Sequence, residues 1–409
     1  MLYDSHIVPT SSVNGQTAIN ASINLACFLC AFGIMLARAF IYTGHMPVVH
    51  LLFLAGKIAL IPIALILAIR TPGKPTAIDI GLLVYAITMY VACLINHTQI
   101  LTITLMCLDI FIYWALCRWF FVRQSLFPLK AAIWILLAFI ALNFLLVLWR
   151  PDGLWQYETS GKMYYLLGGN YNNMGKAMIV ALISNMLLLI LTPRNNVKQY
   201  KTYIITLLLL IALSLGTLVI MRSTTSLTGI LLLLVLGSLL LFPGRPLRIV
   251  SMILFIALYV SLQSWAVFSD MHHTSAKTAY FVEHVLHKDM TFTLRTNIWR
   301  ASKELIEQRP VTGYGEHDDE WYNEELGGLT THNLALHILF KGGWIAMTAF
   351  LLLLITVLIR ILCNPSPQVR YTLMVGLWVF LFMMIFEVYP ITSFSILFIY
   401  AAYIKPRTA

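Results

Sequence analysis

Apolar runs long enough to span, or nearly span, ~30 Å of hydrocarbon recur along almost the whole chain, with one long polar stretch, Ser269–Asn333, between them. Twelve such runs can be marked: Ala18–Ala37, Pro47–Ile69, Ala77–Asn96, Gln99–Phe121, Ala131–Leu148, Asn173–Leu191, Tyr203–Met221, Ser223–Leu241, Leu247–Phe268, Asn333–Leu362, Tyr371–Phe386 and Ile391–Ile404. The pattern predicts an all-α polytopic membrane protein of about 12 transmembrane helices. Only Arg222 and a Ser/Thr run divide the seventh from the eighth, and the last two hinge at Glu387-Val388-Tyr389-Pro390. Three parts follow: residues 1–268 with helices 1–9, residues 269–332 as one large polar loop, and residues 333–409 with helices 10–12.

The loop is too long for a simple connector, since loops beyond ~15 residues usually carry function or disorder. Within it Phe292–Gln308 reads as an amphipathic helix, with Leu294, Ile298, Ala301, Leu305 and Ile306 in a stripe at 3–4 spacing. Pro310 and Gly313 end it. Arg295 and Trp299, four apart, share a face. A weaker helix is expected over Ala276–His287. The acidic run Glu316, Asp318, Asp319, Glu320, Glu324 and Glu325 lacks the ligand spacing of a calcium loop and reads as a solvated, mobile lid.

Composition agrees with the pattern. Of 409 residues, 60% are hydrophobic and 11% charged, against ~25% charged in soluble domains. The net charge of +10 is not a nucleic-acid signature, because its distribution follows topology. One set of loops holds fourteen basic residues: Arg70, Lys74, Arg118, Arg123, Lys130, Arg194, Lys198, Lys201, Arg245, Arg248, Arg360, Arg370, Lys405 and Arg407. The short loops on the other side hold four, Arg38, Arg150, Lys162 and Arg222. The positive-inside rule then puts both termini in the cytoplasm and the long loop outside. Trp155, Tyr157, Tyr164 and Tyr165 fit an interfacial aromatic belt. The six cysteines give no disulfide framework and no zinc spacing.

Charged residues inside the spans are costly and mark either pathways or mutual pairs. Lys57 and Asp109 fall near the middle of theirs and are expected to pair; Asp79 and Lys176 lie near span ends and can snorkel. Lys341 lies about two turns into its span, where it can face an outer cavity or pack. Arg222 precedes a helix start, where free N–H groups and the positive dipole end favour an anion such as phosphate. A loop arginine anchoring to headgroups would look the same. Arg295 can equally be a solvated-face residue. His332, preceded by Thr330 and Thr331 as capping candidates, sits where a helix end favours a neutral imidazole, suited to a general base. The plainer alternative is a structural histidine. His337 reads as packing.

These motifs, in this order, resemble the O-antigen ligase and O-antigen polymerase family of bacterial inner membranes. The resemblance rests on the arginine after the seventh span (Arg222), the R-x-x-x-W helix (Arg295–Trp299), the P-x-x-G-x-G turn (Pro310–Gly315), the His332-Asn333 pair entering the next span, and the polar Gly168–Asn173 approach to the sixth. It implies a metal-independent, inverting glycosyltransferase of the inner membrane, with no cofactor and no nucleic acid. The implied donor is a polysaccharide on undecaprenyl pyrophosphate, and the acceptor a sugar hydroxyl of lipid A-core. It further implies that His332 is the general base and that Arg222 and Arg295 hold pyrophosphate. Lys176, Trp299, Tyr314, Asn333 and Lys341 are the candidate substrate contacts. A polymerase using the same donors fits the same motifs. A lipid-linked sugar transporter or flippase is the alternative of a different class, for which Lys57 and Asp109 speak; the absence of an internal repeat speaks against it.

Overall fold

The computed structural model describes residues 32–156, 163–241, 245–268 and 291–404. The described elements are α1 (32–40), α2 (Pro47–Arg70), α3 (Ala77–Asn96), α4 (Ile100–Val122), α5 (Phe127–Trp149), β1 (Trp155–Gln156), β2 (Met163–Tyr165), β3 (Gly169–Asn170), α6 (Gly175–Leu191), α7 (Val197–Ile220), α8 (Thr224–Ser238), α9 (Arg245–Phe268), α10 (Thr291–Gln308), α11 (Asp319–Leu326), α12 (Leu334–Leu362), α13 (Pro367–Met383) and α14 (Ile391–Tyr403). Among the described residues nine helices are long and apolar enough to cross a membrane, and α13 and α14 are shorter apolar helices. The chain is a multi-pass, all-helical membrane protein. Most of the first expected span, Tyr157, Lys162, the Ala276–His287 helix, Lys405 and Arg407 lie outside the described residues.

Several helices begin earlier than their apolar runs. The fifth starts at Phe127 rather than Ala131, and the seventh at Val197 rather than Tyr203. The added turns carry Lys130, Lys198 and Lys201, whose charged ends can reach past the hydrocarbon while their stems stay helical. The expected Tyr371–Phe386 run is a helix from Pro367 to Met383. Ser366 caps it, accepting from Val369 N at 3.3 Å, with proline in the first turn.

Helix α6 is buried along nearly all its length and packs against α5, α7, α8 and α13. Close approach uses small residues, as in other membrane bundles. A Cβ at Gly175 would lie 2.7 Å from Ser226, and one at Gly376 would lie 2.4 Å from Ile183. The outward sides of α2 and α9 expose Leu51, Leu52, Ile253 and Leu254, which lipid tails cover without cost.

One end of the bundle, here the loop face, carries a three-stranded antiparallel sheet ordered β1-β2-β3, with Ile41 bridged to Leu167 beside it. The same face carries α10 and α11. The motif Pro310–Gly315 is spliced into α12. That helix breaks at Gly343, where φ is 60° and ψ −162°. The backbone groups released by the break bond to the turn: Tyr314 N donates to Phe340 O (2.8 Å), Gly315 N to Lys341 O (2.8 Å) and Trp344 N to Pro310 O (2.8 Å). The glycines are required by this approach. A Cβ at Gly313 would meet Lys341 C and Phe340 O at 2.6 Å, and one at Gly343 would meet Val311 O at 2.2 Å. Asn96 Nδ2 donates to Gly313 O (3.1 Å), and Arg309 Nη1 to Asn96 Oδ1 (2.6 Å), tying the turn to α3 as well. Irregular backbone at membrane depth is tolerated when it is buried in protein and its polar groups are paired; Gly313, Tyr314 and Gly315 are buried.

Candidate functional site

At the loop face one buried carboxylate gathers three partners. Glu387, in the link between α13 and α14, accepts a hydrogen bond at Oε1 from Arg295 Nη2 (2.7 Å) and from Asn172 Nδ2 (2.7 Å). Its Oε2 lies 3.3 Å from His332 Nδ1. Burial works to raise the Glu387 carboxyl, but the neighbouring His332, Arg295 and Asn172 outweigh it and hold the group below the usual carboxylate range. Four segments distant in sequence therefore converge on one charge.

Each partner is positioned by local structure. Asn172 sits in a 3-10 turn, Tyr171–Asn173, at the start of α6. Its carbonyl accepts from Ser226 Oγ (2.7 Å) and Tyr389 OH (3.2 Å). Arg295 lies on α10, which is anchored by fully buried Trp299 packed edge-on against Trp265 of α9 at 6.2 Å between centroids. His332 takes a left-handed backbone with φ 49°. The threonines do not cap the following helix. Asn333 is the N-cap, its Oδ1 accepting from Leu336 N (3.1 Å), while Thr330 Oγ1 accepts from His332 N (3.2 Å). Asn333 Nδ2 also donates to Ile385 O (3.1 Å) and Gln263 Oε1 (3.3 Å). With its amide so committed and its side chain buried, Asn333 holds the backbone that presents His332.

The other residues singled out from sequence separate into distinct places. Arg222 is exposed, with φ 50°. It lines an opening with Asp152, Met163, Tyr165 and Tyr171. Ser226, four residues on in the first turn of α8, donates to the Asn172 carbonyl, and Asn172 in turn donates to Glu387. Tyr314 is buried and stacked on Phe340 at 5.3 Å. Lys176 is buried in the first turn of α6. Lys341, a candidate substrate contact, is gripped by both oxygens of Glu316, at 2.7 and 2.6 Å, with Tyr322 beneath its ammonium at 5.5 Å. The acidic run is solvated as expected at Asp318, Asp319, Glu320, Glu324 and Glu325, which are exposed, but it is folded and anchored to the bundle. Asp318 caps α11 by accepting from Trp321 N (3.0 Å), Tyr322 and Leu326 are buried, and Glu316 N donates to Thr98 Oγ1 (3.2 Å). Asp79, expected to snorkel, forms a capping box with Thr76 and accepts from Trp114 Nε1 (2.8 Å) and Tyr403 OH. Among the described residues no three of His, Cys, Asp or Glu come together to hold a metal ion.

Sequence reasoning missed Glu387, reading it only as part of a hinge. Its signal was a lone acid between two apolar helices on the face that carries the loop. Its importance comes from partners as far away as Asn172, which spacing along the chain does not reveal.

Fold and site together define a polytopic membrane protein whose ionic centre lies at one face and draws on both the long loop and the spans. Residues 208–351 match the family model described as O-antigen ligase. That segment holds Arg222, Arg295, Pro310–Gly315, His332 and Lys341, and the match bears out the resemblance drawn from those motifs. Asn172 and Glu387 lie outside it. No curated protein matches the chain.

Proposed function

We propose that this protein is an O-antigen ligase, transferring polysaccharide from undecaprenyl pyrophosphate to a sugar hydroxyl of lipid A-core at the periplasmic face of the bacterial inner membrane. The observation that carries the reading is the shared carboxylate. An ionised Glu387 can only accept hydrogen bonds, so the proton between it and His332 belongs to Nδ1. In the neutral imidazole Nε2 then carries the lone pair, the form a general base needs.

In this mechanism the acceptor hydroxyl gives its proton to Nε2 as its oxygen forms a bond to the anomeric carbon. The bond from that carbon to the pyrophosphate oxygen breaks, on the opposite side, and the configuration inverts. The imidazolium so formed lies against the Glu387 carboxylate, which offsets its charge. Arg295 neutralises the departing pyrophosphate, exchanging part of its contact with Glu387 for phosphate oxygens, and Arg222 adds a second guanidinium from the opening beside the sheet. Preorganised positive charge of this kind serves where charge develops.

The test is transfer by His332→Gln in membranes with matched protein levels. Glutamine keeps hydrogen-bonding capacity but is not a base, and losing a general base typically costs ~10²–10⁴-fold in rate. Substantial transfer by His332→Gln removes the catalytic role. In a deletion strain, loss of all polymer from core with lipid-linked polymer accumulating supports the ligase; a single repeat left on core identifies a polymerase.

A further inference from the structure

The end of the bundle opposite the loop face holds a cavity of about 390 Å³, between the α2–α3 link, the α4–α5 link and the last turns of α6, α12 and α14. Small-molecule sites run from ~300 Å³ upward. Three cations line the cavity, Lys74, Arg118 and Arg360, and none of its lining residues is acidic. Arg118 is 4% exposed. Its Nη2 donates to Gly73 O (2.5 Å), and its guanidinium carbon lies 5.3 Å from the centroid of the Trp114 ring. Its Nε is buried with no hydrogen-bond partner among the described residues. Arg360 Nη2 donates to Ala402 O at 3.3 Å, and Lys74 stands exposed at the rim. Asp79, in the first turn of α3, does not line the cavity; its carboxylate is taken by Thr76 N (2.6 Å), Trp114 Nε1 (2.8 Å) and Tyr403 OH.

Backbone adds to this charge. Helix α5 starts at the cavity wall with Leu126 as its N-cap, and Leu126 supplies no side-chain acceptor. Its first-turn N–H groups and positive dipole end therefore face the same space as the cations. Fastening helix ends accounts for Nη2 of each arginine and leaves Nε of Arg118 unexplained. A buried donor without a partner is costly, and beside a cation the partner that fits is an anion. Three cations and a helix start suit the double charge of a phosphate monoester better than the single charge of a carboxylate. Depth fits as well. Arg118 lies one turn before the end of α4 at Val122, Arg360 two residues before the end of α12 at Leu362, and Lys74 in the link itself. The cations thus sit at the level of the loops and not in the hydrocarbon. Phe121, Leu191 and Ile404 make other parts of the wall apolar, which suits an ester with a carbon body.

We propose that this cavity binds a phosphate monoester, carried by a lipid headgroup of the adjoining leaflet or by a soluble ester. Arg118 donates through Nε, Arg360 through the donors that its Ala402 contact leaves open, and Lys74 adds its charge from the rim. The site shares no residue with the Glu387 cluster and does not depend on the ligase reading.

The test is binding to the purified full-length protein in neutral detergent, read by thermal shift and by native mass spectrometry. The probes are dioctanoyl phosphatidic acid, dioctanoylglycerol, which is the same body without the phosphate, and glycerol 3-phosphate, which is the same ester without the chains. Phosphatidic acid should stabilise the protein and dioctanoylglycerol should not. Arg118→Gln should weaken phosphate binding about 10-fold, the loss expected for one charge-assisted hydrogen bond. Arg360→Gln removes a half-buried side chain with one weak contact, so it tests the same point without threatening the fold, and a similar loss is expected. Arg194→Gln is the control: this exposed cation just past α6 lies outside the cavity, and its loss should leave binding unchanged. Preference for phosphatidic acid over glycerol 3-phosphate marks a lipid as the source; equal binding of the two marks a soluble ester. The proposal is overturned if neither phosphate stabilises the protein, or if dioctanoylglycerol does so equally. Binding unchanged in both Arg118→Gln and Arg360→Gln, or weakened as much by Arg194→Gln, also overturns it.

Discussion

Glu387 concentrates the site's energetics in one side chain. Removing one partner of a buried ion pair typically costs ~3–5 kcal/mol, because the remaining charge is left uncompensated. Glu387→Ala should therefore destabilise the protein strongly, with Arg295 and His332 both orphaned. Glu387→Gln, nearly the same shape, separates charge from packing and should lower transfer at least ~10-fold, since one lost charge-assisted contact is worth about 1.5–3 kcal/mol. The pH dependence has a definite sign. The folded carboxyl titrates below its ordinary value, so its contribution is complete above the unfolded range near ~4.3. It is lost as pH falls through the lower, folded value. Melting temperatures of the wild type and Glu387→Gln should thus differ at neutral pH and converge in acid. A gap that stays constant down to strongly acidic pH would mean that the carboxylate's charge is not what holds the cluster. Arg295→Lys keeps a charge but loses the planar fork that reaches Glu387 at 2.7 Å, and most transfer should disappear at normal protein levels. Activity of the purified protein should survive EDTA if arginines supply the charge compensation; restoration by magnesium after EDTA loss would assign that work to a metal.

At the scale of elements, the loop is built into the bundle. Gly313→Ala would force a Cβ to within 2.6 Å of the α12 backbone and put a side chain on a φ of 63°. The left-handed conformation alone costs roughly 1–2 kcal/mol, so a lower melting temperature and faster proteolysis after Gln308 are expected. Lys341→Met and Glu316→Gln should each destabilise, with a coupling of about 0.5–3 kcal/mol in a double-mutant cycle; additive effects would mean that the ion pair does not fasten the loop. The α10 helix, its Pro310 stop and the glycines of the turn were legible in the sequence, because amphipathic period and turn residues are local signals. The destination of the turn was not, since nothing in Lys341-Gly342-Gly343 announces that another segment supplies the broken helix's hydrogen bonds. For the same reason the partner of Lys341 and the folding of the acidic run were not legible. Only the tertiary fold brings Glu316 to the lysine.

For the whole molecule, the spans were the most legible feature, since an apolar run needs no partner to be recognised. Their ends were less so, because basic first turns remain helical beyond the apolar stretch. Orientation can be checked with two positions on opposite faces. Glu320 is exposed on α11, and the native Cys363 is exposed just past the far end of α12. With the loop face outside, Glu320→Cys should react with an impermeant maleimide in intact spheroplasts, while Cys363 should react only after permeabilisation. The reverse pattern would overturn the orientation and the periplasmic mechanism with it. The splice at Gly343 also bears on how the chain is made. The ribosome delivers Pro310–Gly315 before residues 340–345, so the segment that completes α12 is already synthesised when the broken span enters the bilayer. A circular permutant that places residues 291–326 after α12 would reverse this order. Its α12 span would enter lipid with open N–H and C=O groups, each worth several kcal/mol there, and would stall at insertion although every native contact remained available.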